Sequence, residues 1–66
     1  MLMVVYIAPN RPVADMLRDM LKNEGIVATL RPVDLPHLGA SASVEILVPE
    51  SEAEEAIEII NAYFSA

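Results

Sequence analysis

Apolar positions change period twice along this chain. "MVVYIA", Met3 to Ala8, is β-branched and aromatic and reads as a strand that Pro9 ends. Val13, Met16, Leu17, Met20 and Leu21 then fall three, four, seven and eight apart and draw one apolar stripe, with Arg18, Asp19, Lys22 and Asn23 on the other side. That spacing predicts a helix over Arg11 to Glu24, capped by Asn10, tolerant of Pro12 in its first turn and ended by Gly25 in the left-handed region. "IVATLRPV" sets Ile26, Ala28 and Leu30 against Val27, Thr29 and Arg31, a second strand ending near Val33. "VEILV" sets Val44, Ile46 and Val48 against Glu45 and Leu47, a third strand closed by Pro49. A second helix follows, with Ser51 and Glu54 spaced as a capping box and Ala53, Ala56, Ile57, Ile60 and Phe64 as its buried stripe. Its early glutamates meet the positive end of the helix dipole.

The order strand, helix, strand, strand, helix is reinforced by an internal repeat. "VVYIAPNRPVADML" from Val4 aligns without a gap on "VEILVPESEAEEAI" from Val44, an offset of forty, with Pro9 on Pro49. Each half is a strand, a proline stop and an amphipathic helix. The expected fold is α+β and ferredoxin-like: β-α-β-β-α, a three-stranded antiparallel sheet in order 1-3-2, both helices on one face, in a single domain over 1–66. At that offset Ile26 maps onto Ala66, so the fourth strand of such a unit is expected to be absent.

With 66 residues, such a domain has a core marginal for independent stability. There is no cysteine, which removes disulfides, thiolate nucleophiles and sulfur-ligated metals. Leu2 to Ala8 is too short for a membrane span and lacks the basic lead of a signal peptide, so a cytoplasmic chain is expected. Charge divides the halves. Arg11, Arg18, Lys22 and Arg31 balance Asp15, Asp19, Glu24 and Asp34, whereas everything after residue 39 carries only acidic charge, for a net of -6. That surface repels phosphate backbones, and no basic face suits anionic lipid, so neither nucleic acid nor membrane is an expected partner.

The strand leading into "APN", the helix with Ala14, Leu17 and Leu21, "EGI" at Glu24 to Ile26 and "ILVPESEAEEA" at Ile46 to Ala56 together resemble a small bacterial family of prokaryotic signal transducing proteins. That family is a domain of unknown function described as related to PII-type regulators. The resemblance spans nearly the whole chain and brings no catalytic signature. It implies a stand-alone regulatory or interaction module.

Chemistry is sparse. His37 has no cysteine and no second histidine at metal-ligand spacing, and no hydroxyl stands in a nucleophile motif, so neither a catalytic residue, nor a metal, nor a cofactor is expected. Asn10 and Arg11 at a helix start can hold an anion through backbone N–H groups, with capping the simpler account. The stretch "RPVDLPHLGASAS", Arg31 to Ser43, is longer than a hairpin needs. Leu35 and Leu38 either fold over the open end of the core or, with Arg31, Asp34 and His37, form a contact loop for a partner or small ligand. A non-enzymatic regulatory or protein-interaction module is the expected function, with a metabolite sensor binding between subunits as the alternative.

The first strand has no charge and is apolar on both faces, the profile of an edge that needs cover. A homodimer is expected, through Met3, Val5 and Ile7 with Val27 and Leu47, either by pairing first strands or by stacking bare sheet faces. The competing arrangement is a monomer in which Tyr63 and Phe64 fold over that edge.

Overall fold

A computed structural model of the chain describes residues 1–33 and 42–65. Strand β1 (Leu2–Ala8) leads to helix α1 (Arg11–Asn23), strands β2 (Thr29–Pro32) and β3 (Val44–Pro49), a 3-10 turn at Glu50–Glu52 and helix α2 (Ala53–Ser65). The sheet is antiparallel in order β1-β3-β2, with both helices on one face, as the repeat and the periodicity lead one to expect.

Local chemistry sets the ends of α1. Asn10 is extended, and its side-chain oxygen accepts from the Val13 N–H at 3.0 Å, which satisfies one of the donors a helix start leaves open. At the other end Gly25 sits at φ +84. Its N–H bonds to the Lys22 carbonyl at 3.0 Å while the Ile26 N–H reaches the Leu21 carbonyl at 2.9 Å, the two bonds of a Schellman motif. Leu21 and Ile26, the residues such a motif brings together, both belong to the buried core.

That motif also explains why β2 is shorter than its alternation suggests. Ile26 is buried, Val27 is 75% exposed and Ala28 is buried, so the expected two-sidedness holds. The ladder nevertheless begins only at Thr29, paired with Leu47. Upstream, the Ile26 N–H is already used by the helix end. The β3 residue that would face Val27 is Pro49, which has no N–H to give.

Register sorts the sheet's two faces, because directly opposed residues lie on the same side. The rows Ala8–Val44–Pro32 and Tyr6–Ile46–Leu30, with Met3 opposite Val48, face the helices. The rows Ile7–Glu45–Arg31 and Val4–Leu47–Thr29 face away. Between Val4 and Tyr6 the register slips, leaving Val5 as a bulge packed against the core.

The core is built on small residues at the helix contacts: Ala14 with Leu17 and Leu21 on α1, and Ala53 and Ala56 with Ile60 on α2. Three stripe residues expected inside lie elsewhere. Met16 is exposed, its inner place taken by Ala14, and it meets the Tyr63 hydroxyl through its sulfur at 3.3 Å. Ile57 and Phe64 stand at the flank of α2, with Ile59 partly buried on the other side. A methyl group at the contact point lets each helix approach the sheet closely, which turns the bulkier neighbours to the flanks. Ser51 does not cap α2 either. It lies inside the 3-10 turn, which has no side-chain cap, and the turn is fastened instead by the Glu50 N–H to the Met1 carbonyl at 2.8 Å.

Candidate functional site

The row Ala8–Val44–Pro32 is the last of the sheet at one end of the molecule. Just beyond it α1 starts at Asn10 and Arg11, and the Val33 N–H bonds to the Ser43 carbonyl at 2.9 Å. Three of the proposed ligand residues, Asn10, Arg11 and Arg31, therefore belong to the end where the chain leaves the sheet at Val33 and returns to it at Ser43. The others, Asp34, Leu35, His37 and Leu38, lie outside the described residues.

Each of the three already has a partner. The Asn10 oxygen is occupied as the cap. Arg11 Nε lies 3.1 Å from Asp15 Oδ1, and Arg18 reaches the same carboxylate at 3.3 Å and Asp19 at 3.4 Å, so α1 carries an alternating ladder of charge on its solvent side. Arg31 Nε donates to Glu45 Oε1 at 2.7 Å across β2 and β3 on the open face. The ladder and the cap account for Asn10 and Arg11 as parts of the helix, and what remains exposed at this end is the Arg31–Glu45 pair. Among the described residues no group of three or more His, Cys, Asp or Glu is placed to hold a metal ion.

A hollow of about 310 Å³ opens between α1 and the segment before β2, lined by Arg18, Asp19, Lys22, Val27 and Ala28. Sequence reasoning did not point to it. The only signal was Arg18 and Lys22 one turn apart on the polar side of the helix, which reads equally well as a solvated face.

The expected dimer residues separate into three kinds. Met3, Ile7 and Val27 are exposed. Leu47 is 5% exposed even though it points away from the helices; it lies on the central strand, between Val4 and Thr29. Val5 is turned against the core by the bulge. Strict alternation puts Met3, Val5 and Ile7 on one face. Because of the bulge, Met3 and Val5 lie on the helix side and Ile7 on the open side, so Leu47 and Val5 have little surface to offer a partner and Met3 offers its surface on a different face from Ile7.

Large apolar side chains left in solvent gather around β1. Leu2, Met3 and Ile7 are on the strand itself, and Phe64 stacks on Tyr6 with ring centroids 5.4 Å apart and planes at 19°. Tyr63 meets Phe64 edge-on at 5.1 Å. Phe64 thus folds onto the first strand, on its helix side, and remains 51% exposed.

No helix among the described residues is long and apolar enough to cross a membrane. Comparison with protein-family models, with curated proteins and with solved structures finds no match.

Proposed function

We propose that the chain is a non-enzymatic regulatory module that acts by protein contact, in the manner its resemblance to prokaryotic signal transducing proteins implies. The carrying observation is the concentration of exposed large apolar residues on and beside β1. Their arrangement suits contact better than chemistry: the β1 edge has no side-chain charge, and Glu45, beside Ile7 on the neighbouring strand, is already paired with Arg31 on the far side of β3. Isolated exposed apolar residues mean little, but a contiguous patch rimmed by polar residues marks an interaction surface.

Affinity capture from the source cells, with wild type beside Leu2→Ser/Ile7→Ser, tests this reading. Specific retention of a second protein species that the variant loses is the expected result. A screen of nucleotides and amino acids by thermal shift runs in parallel, since a ligand that binds only the folded state raises its apparent stability. Stabilisation by a metabolite together with no protein retained overturns the reading in favour of a small-molecule sensor.

A further inference from the structure

We infer that two copies of this chain join through β1, antiparallel and about a two-fold axis, to make one six-stranded sheet with four helices on one face. This rests on the contact reading above and names its surface and partner. The sheet has two edges and they are unlike. β2 is four residues long and carries Arg31 and Pro32, a charge and a missing donor, both devices that discourage further pairing. β1 is seven residues long with neither charge nor proline. Its outward N–H and C=O groups ask for one kind of occupant, another extended strand, because only backbone meets a row of alternating donors and acceptors.

Among the described residues the chain supplies such a strand itself. β1 is its only extended segment that is free of charge and free of proline. Two-fold pairing is self-complementary, so whatever suits one copy suits the other. A bulge is itself one of the features that blunt an edge, but this one leaves the two faces able to match. In an antiparallel self-pair the arm before Val5 meets the arm after it, and the faces then match: Leu2 or Val4 lies opposite Ile7 on the open side, and Met3 opposite Tyr6 or Ala8 on the helix side. Above the junction Phe64 stands on Tyr6, and Asn61 and Ile57 precede it along α2 at helical spacing. A chain of net charge -6 repels its own copy at most approaches, and β1 is a contact strand that adds no side-chain charge of its own.

Sedimentation equilibrium of the wild-type chain from micromolar to about 100 μM, with hydrogen exchange followed at each concentration, tests the pairing. A dimer is expected, with protection of β1 amides that rises with concentration. Ile7→Lys should weaken association by at least about tenfold, since the axis sets two introduced charges in the same interface. Val27→Lys, on the open face but at the far side of the sheet, should leave it within about twofold. Should Ile7→Lys fail to fold, the exchange pattern of the wild type decides alone. A wild type that stays monomeric over the whole range, whatever else its edge retains, overturns the inference. So does a dimer that Val27→Lys breaks and Ile7→Lys spares, which means stacked faces. Because this measurement uses purified chain alone, its failure is distinct from failure to capture a foreign protein.

Discussion

Phe64 lies almost flat on Tyr6, 5.4 Å between ring centres, and through this one contact the last turn of α2 is tied to the first strand of the sheet. Residues far apart in the chain are joined there by surface that remains half in water. An aromatic pair of this kind contributes about 0.5–1.5 kcal/mol beyond the area it buries. Phe64→Ala should therefore cost about 1–2 kcal/mol in urea denaturation, less than a core truncation because the ring is only half buried. A loss under about 0.3 kcal/mol would show that the stack does not hold the helix down.

Gly25 has nothing within 4 Å of the position a Cβ would take, so a side chain there meets no obstacle. Its cost comes entirely from φ +84. Gly25→Ala should destabilise by about 1 kcal/mol, and Gly25→Asn by less, because asparagine tolerates the left-handed region better. Equal stability of wild type and Gly25→Ala by thermal unfolding would contradict the assignment of Gly25 as the residue that closes α1.

Asn10 separates capping from anion binding. Asn10→Ala should lose about 1 kcal/mol of stability, with Asn10→Asp or Asn10→Ser retaining most of it. Added phosphate should leave the wild-type melting temperature unchanged at constant ionic strength. A rise that disappears in Asn10→Ala would make the helix start a ligand site after all.

Leu47 and Val27 were expected to act alike and should not. Leu47→Ala removes a buried side chain from the central strand and should cost about 2–4 kcal/mol. Val27→Ala, at a position three-quarters exposed, should stay within about 0.5 kcal/mol. Similar losses at both positions, in the same denaturation experiment, would return Leu47 to the surface.

The elements were legible because their signals are local. Proline stops, the glycine at the end of α1 and the alternation of Ile26, Ala28 and Leu30 need no knowledge of what packs on them, and the repeat at an offset of forty supplied the topology. What could not be read was rotation. Whether Met16 or Ala14 turns inward depends on how closely α1 approaches the sheet, and that distance is set by small residues on both elements together. The bulge at Val5 has no sequence mark of its own in a run of uniformly apolar residues, and it is what redistributed the expected interface. Of the candidate site, the charged residues could be named but not their partners, since Arg31 meets Glu45 only through a register that pairing with β3 creates.

The strand order has a consequence for synthesis. β1 is made before β3, which pairs along its side, and before α2, whose Phe64 stacks on it; of the elements that pack on it only α1 follows directly. At about 5–20 residues per second, translation places seconds between the synthesis of β1 and that of the strand it pairs with. An uncharged apolar strand thus exists for that interval without the partner that covers one of its edges, which makes the order of synthesis itself a source of the edge exposure that folding later halves.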